Sequence, residues 1–198
     1  MKIKLCGIRT VADALLCAEA GADEIGVIFA ARSKRRVSLE EARRIRDALP
    51  ATLPLIGVFV DAALSEVNDT ARTIGLSAAQ LHGAWLQERA AIPLYAAVQV
   101  AGTLGDLPQG AARLLLDGPS GGSGISFAWS LAREGRARFP GPLFIAGGLT
   151  PENVAQAIRE AHPDGVDVAS GIEDPDGFKD PARVRAFIAA ARGAAEAT

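Results

Sequence analysis

The chain has 198 residues, of which 49% are hydrophobic and 22% charged, and its net charge is -2. That length points to one domain over residues 1–198 with a sizeable core, and the slight acidity argues against a general nucleic-acid binder, which needs a basic excess to neutralise phosphates. No apolar run approaches the ~20 residues that span a bilayer, and MKIKLCG lacks the apolar region and small-residue cleavage site of a signal peptide, so the expected compartment is the cytoplasm.

Short β-rich runs alternate with helical stripes along the chain. The first strand candidate, Lys2–Cys6, is followed by the stripe Val11, Ala14, Leu15 and Ala18. Glu24–Phe29 comes next, then Ser38 and Glu41 at capping-box spacing. Pro54–Phe59 precedes the stripe Leu64, Val67, Ala71 and Ile74. Ala78–Leu81 and Leu94–Val100 are the fourth and fifth strands, and the segment after the fifth, AGTLGDLPQG, makes a poor helix. Ala112–Asp117 is the sixth strand. Pro142–Ala146 leads to a helix start at Thr150–Pro151 and the stripe Val154, Ala157, Ile158 and Ala161. Gly165–Ala169 leads to Asp180–Pro181 and the stripe Val184, Phe187, Ile188 and Ala191. Several strands are near-continuous apolar runs, as strands buried on both faces are. Eight strand–helix units predict a (β/α)8 barrel with a short or irregular fifth helix. A doubly wound open sheet is the alternative.

In such a barrel the functional groups stand at the C-terminal ends of the strands. Cys6 ends the first strand, as a small buried hydrophobe or as a base that needs a cationic neighbour to ionise. The second loop, with Arg32, Lys34, Arg35 and Arg36, is a solvated cationic surface unless one arginine turns inward to clamp a carboxylate. Gln80 and His82 end the fourth strand, and His82 reads as structural, as does His162 before Pro163. Asp117 closes the apolar run Leu114–Leu116, either as a desolvated general acid or as a cap of the loop that follows. In that loop Gly121, Gly122 and Gly124 suit a lid or a close approach to substrate. Gly147, Gly148, Ser170 and Gly171 follow strands seven and eight, where such barrels often hold phosphate, although glycines also serve tight turns. Cys6 and Cys17 do not have metal-ligand spacing, and with only His82 and His162 beside them a structural zinc site is not expected.

The stretches KLCGIRT, SKRRVS, IGVFV, AQLHG, LLLDGPSGGSGISFAW, IAGGLTPENV and GVDVASGIEDPDGFKD occur in this order. Together they resemble the phosphoribosylanthranilate isomerases of tryptophan biosynthesis. The resemblance implies a (β/α)8 barrel that carries out an Amadori rearrangement of a phosphorylated aminoaldose, with no cofactor and no metal. It implies Cys6 as general base, Asp117 as general acid and Arg35 as the ligand of the anthranilate carboxylate, with Gly147, Gly148, Ser170 and Gly171 at the phosphate. The implied partner is the small phosphorylated substrate, with no nucleic acid and no membrane, on a monomer or homodimer. Four places depart from the family pattern: Arg9 where threonine is frequent, Ala169 where serine is frequent, Ala30–Ala31 before SKR, and the short fifth crossover. The alternatives are another sugar-phosphate isomerase on a related barrel, or a non-catalytic phosphosugar-binding barrel.

Overall fold

The structure, a computed structural model, describes residues 1–83, 90–100, 102–118 and 129–196. Its eight strands are β1 (Lys2–Leu5), β2 (Glu24–Ile28), β3 (Leu55–Val60), β4 (Ala78–His82), β5 (Leu94–Gln99), β6 (Arg113–Asp117), β7 (Leu143–Ala146) and β8 (Gly165–Val168). Each agrees with its predicted bounds to within one residue. They pair in parallel and in sequence order, and the sheet closes where β8 pairs with β1. Closure removes the open-sheet alternative.

The described helices are α1 (Val11–Glu19), α2 (Leu39–Ala48), α3 (Leu64–Ile74), α4 (Ser130–Arg138), α5 (Val154–Ala161) and α6 (Pro181–Glu196). Their local signals act as the sequence predicts. Ser38 Oγ accepts from the Glu41 N–H at 3.1 Å, and Asp180 Oδ1 accepts from the Ala182 and Arg183 N–H groups at 2.8 Å, which satisfies donors that have no partner within the helix. Residues 102–110, between β5 and β6, form turns and no helix. Gly102 and Gly110 there take positive φ, while Leu104 and Leu107 are buried and cover the barrel. Arg138 of α4 donates to the Leu104 and Gly105 carbonyls at 3.2 and 2.6 Å, fixing this segment from outside. Among the described residues, no helix is long and apolar enough to cross a membrane.

One helix start differs from the prediction. α5 begins at Val154, after a turn that contains Thr150 and Pro151. The Asn153 side chain accounts for the difference. Its Oδ1 accepts from the Thr150 N–H at 2.8 Å and its Nδ2 donates to the Gly148 carbonyl at 2.9 Å, so the segment after Gly148 is tied to a side chain instead of entering the helix.

The strands separate two interiors, because successive side chains face opposite ways. Residues such as Leu5, Ile25, Leu55 and Phe59 form the large apolar core with the helices. Inside the barrel the apolar cluster is small, Leu115, Phe144 and Ala146 with Ala97. Lys4, Glu24, Gln80 and Asp167 are also buried in that interior, beside the apolar Ile56, Val58 and Ala78. The loop of 119–128 expected to act as a lid lies outside the described residues.

Candidate active site

The strand ends gather six of the seven predicted site residues around one cavity of about 190 Å³: Cys6, Arg35, Asp117, Gly147, Gly148 and Ser170. The seventh, Gly171, is not in the lining. It lies where a Cβ would be 1.8 Å from the Leu149 carbonyl oxygen, so its missing side chain lets the loops after β7 and β8 touch backbone to backbone.

Cys6 follows directly on β1, its N–H donating to the Val168 carbonyl of β8 at 2.8 Å. Its thiol is packed against β2, where a Cβ on Gly26 would lie 2.7 Å from Sγ. Gly7 then turns the chain at φ 72°. A side chain there would collide with Arg35, whose Cδ would be 2.5 Å from the new Cβ. Arg35 is therefore the inward-turned arginine of the basic loop. Its Nε and Nη2 donate to Glu173 Oε1 and Oε2 at 2.6 and 2.7 Å, a fork-to-fork pairing that fixes the guanidinium plane. Lys179 Nζ donates to Glu173 Oε1 and to the Ala169 carbonyl, each at 2.9 Å.

Asp117 ends β6 opposite the loop after β7. Gly147, at φ 84°, sits so close that a Cβ would lie 2.8 Å from Asp117 Oδ1 and 2.3 Å from the Gly118 nitrogen. Gly148 follows at φ 67°. Burial pushes the Asp117 carboxyl up to about 6, the charge of Asp167 adds to the effect, and Lys4 and the Gly118 N–H work against it. A carboxyl in that range holds its proton at mildly acid pH and can release it near neutrality, as a general acid must. Burial likewise pushes the Cys6 thiol up, and the largest opposing influence is Lys4. Cys17, buried on α1, is pushed up to about 12 by burial, which makes it an inert thiol.

His82 also lines the cavity, where the sequence reads it as structural. The Gln80 amide donates to its Nε2 at 2.9 Å. Burial and then the nearby Lys4 charge hold the imidazole below its ordinary range, so at neutral pH it is an uncharged acceptor. Among the described residues, no group of three or more His, Cys, Asp or Glu side chains is placed to share a metal ion.

Four charged residues near the cavity escape sequence reasoning: Lys4, Asp167, Glu173 and Lys179. Lys4 carries a signal in hindsight. It stands two residues before Cys6, hence on the same face, in a strand whose other face holds Ile3 and Leu5. A charge at an inward position of a buried strand marks either an ion pair or a site. Glu173 and Lys179 lie in an irregular segment whose return to the barrel mouth no periodicity reveals.

The model of the family described as N-(5'-phosphoribosyl)anthranilate (PRA) isomerase matches residues 3–190. The N-(5'-phosphoribosyl)anthranilate isomerase of Geotalea uraniireducens is 42% identical over 202 residues, which cover 97% of this chain and 98% of the relative. Among solved structures, phosphoribosyl anthranilate isomerase from Thermus thermophilus has a TM-score of 0.86 at 33% identity, covering 98% of this chain and 99% of the other. Phosphoribosyl anthranilate isomerase in complex with reduced 1-(o-carboxyphenylamino)-1-deoxyribulose 5-phosphate has a TM-score of 0.82 at 37% identity, covering 98% and 99% of the two chains.

Proposed function

Since this chain belongs to the N-(5'-phosphoribosyl)anthranilate isomerase family, we propose that its cavity converts N-(5-phosphoribosyl)anthranilate into 1-(2-carboxyphenylamino)-1-deoxyribulose 5-phosphate, with Asp117 as general acid and Cys6 as general base. The observation that carries this reading is that a carboxyl able to hold a proton and a thiol line the same cavity.

The reaction runs as follows. Asp117 gives its proton to the ring oxygen as the C1–O bond breaks, and the anthranilate nitrogen lone pair closes a C1=N iminium. That iminium acidifies the proton on C2, which the Cys6 thiolate removes. The released electron pair forms the C1=C2 bond and neutralises the nitrogen. The resulting enolamine moves the hydroxyl proton from O2 to C1 and becomes the ketone. Nothing is oxidised or reduced overall, and each acid or base step contributes ~10²–10⁴ in rate.

Arg35 receives the anthranilate carboxylate through charge-assisted hydrogen bonds. The phosphate lies against Gly148, whose positive φ and absent side chain allow close backbone approach, and against Ser170, which adds a hydroxyl, while Gly171 holds the two phosphate-side loops together. The phosphate grip supplies position rather than bond breaking. In this reading the enzyme serves tryptophan biosynthesis in the cytoplasm, as a monomer or homodimer, without a cofactor.

Loss of the substrate's anthranilate fluorescence tests the assignment directly. The wild type is expected to be active, and Cys6→Ser and Asp117→Asn to lose ~10²–10⁴ in kcat while keeping a native circular dichroism spectrum. Equal turnover in all three would end the assignment of acid and base.

A further inference from the structure

Lys4 is a charged side chain fully buried inside the barrel, 1% exposed. It pairs in register with Asp167 of β8, and its Nζ donates to Asp167 Oδ2 at 2.9 Å. Its neighbour on the same inward strand face is the Cys6 thiol, two residues on, which lines the cavity together with Asp167. As a structural clamp between β1 and β8 this pair is poorly made. Asp167 Oδ1 is buried and has no partner, and an ion pair whose remaining atoms are unsatisfied does not repay its desolvation. What the arrangement does well is fix an ammonium on the inward face of the strand that carries the thiol. The thiol is confined on its other side by Gly26 of β2, which brings no charge.

We propose that Lys4 is a positioning residue of the isomerase: anchored by Asp167, its ammonium is the counter-charge of the Cys6 thiolate and selects the ionised base. The inference rests on Cys6 being that base. The charged groups that act on the thiol come from several of the elements around it. Lys4 lies on β1, Asp167 on β8, Lys179 in the segment before α6, and Arg35 in the loop after β2. Lys179 and Arg35 are both engaged by Glu173, which leaves Lys4 as the cation that shares the inward face of β1 with the thiol. Burial disfavours its ammonium, yet Asp167 and then Cys6 more than offset this and keep it protonated.

The test titrates Cys6 in the substrate-free full chain by the ultraviolet absorbance of the thiolate, with Cys6→Ser as the blank that subtracts Cys17. Lys4→Met removes the cation and is expected to move the thiol midpoint up by about one to two units. Asp167→Asn removes the anion, keeps an oxygen for the ammonium, and is expected to move the midpoint down. Opposite movements are the signature of a counter-charge. Movement of both in one direction, or no movement in Lys4→Met, would mean that the pair is scaffolding and overturn the proposal.

Lys4→Met leaves a carboxylate stranded in the barrel. The double variant Lys4→Met/Asp167→Asn is therefore the version expected to fold without an orphan charge, and its thiol should still titrate above that of the wild type. A double-variant midpoint at or below the wild-type value would also refute the proposal. With substrate, the acidic limb of kcat/KM should follow the thiol midpoint in each variant. A thiol that shifts as described in an enzyme whose Cys6→Ser form stays active would refute Cys6 as the base and leave the Lys4–Cys6 coupling standing. An inactive Cys6→Ser form with an unshifted thiol would do the reverse.

Discussion

Among the described residues, two buried ion pairs lie inside the barrel, and they are built in different ways. At the floor, where the strands begin, Arg113 of β6 reaches Glu24 of β2 with Nη1 and Nη2 each 2.6 Å from a carboxylate oxygen. Its guanidinium lies 4.0 Å from the ring centre of Tyr95 and 3.9 Å from that of Phe144. Apart from Arg113 Nε, the polar atoms of this pair are spent on each other, and planar cation, carboxylate fork and aromatic faces match in shape. Nearer the mouth, Lys4 gives Asp167 a single hydrogen bond, one carboxylate oxygen is orphaned, and a thiol and the raised Asp117 stand beside them. One region uses charge to tie strands together across the barrel. The other accepts poor satisfaction and leaves its charges to act on neighbours.

The largest effect should come from breaking the floor. Arg113→Met strands the Glu24 carboxylate in the barrel, and removing one partner of a buried pair costs about 3–5 kcal/mol. Urea unfolding should register that loss, while kcat per folded molecule stays near wild type, because Arg113 lies at the opposite end from the cavity. Restoring neutrality with Arg113→Met/Glu24→Leu should recover most of the stability. A stable single variant with poor turnover would invert the contrast between the two regions.

The mouth makes a prediction of opposite sign. Burial pushes the Asp117 carboxyl from its ordinary 3.8 up to about 6 in the fold. Between those values the unfolded chain is ionised while the folded one is not, so ionisation favours unfolding and stability falls as pH rises from about 4 to about 6. Above that range the deficit persists at roughly 3 kcal/mol. Asp117→Asn does not carry it. The variant expected to lose turnover should therefore be more stable than wild type at neutral pH, by thermal or urea unfolding, and the difference should vanish below about pH 4. A variant less stable than wild type at pH 7 would mean that Asp117 serves the fold.

The architecture was almost entirely legible because each unit announces itself locally. Strands buried on both faces read as apolar runs, and helices as stripes opened by Ser38 or Asp180. The mouth was legible where position suffices. Cys6 and Asp117 end strands, and Gly147 and Gly148 follow one, although the roles given to them came from the family resemblance rather than from spacing. Illegible was whatever depends on three-dimensional pairing. That Arg35 turns inward follows from Glu173, 138 residues away, and from the space that Gly7 leaves. That Lys4 meets Asp167 follows from barrel closure, which joins the first strand to the last. The start of α5 was misplaced because Thr150–Pro151 is a good helix opening by local rules, and the Asn153 side chain overrides it by binding both Thr150 and Gly148.

The smallest expected effect tests whether the contrast concerns place or construction. Glu173 stands at the mouth yet grips Arg35 in the same forked manner as the floor pair. Burial alone would raise its pKa, but the hydrogen bonds from Arg35 and the charge of Lys179 more than offset that and hold it below 4.5. The pair thus adds stability above pH 4.5 that is lost as pH falls through the lower folded-state value, and in Glu173→Gln that acid-side loss should disappear. Arg35 is partly exposed, so the stability involved is no more than ~1 kcal/mol. The more telling readout is kinetic. If Glu173 serves to aim Arg35 at the substrate carboxylate, Glu173→Gln should raise KM about fivefold, equivalent to ~1 kcal/mol, and leave kcat nearly unchanged. If instead stability falls with KM intact, forked pairs in this barrel are structural wherever they stand, and what distinguishes the catalytic region is the incomplete satisfaction of Lys4 and Asp167 rather than its position at the mouth.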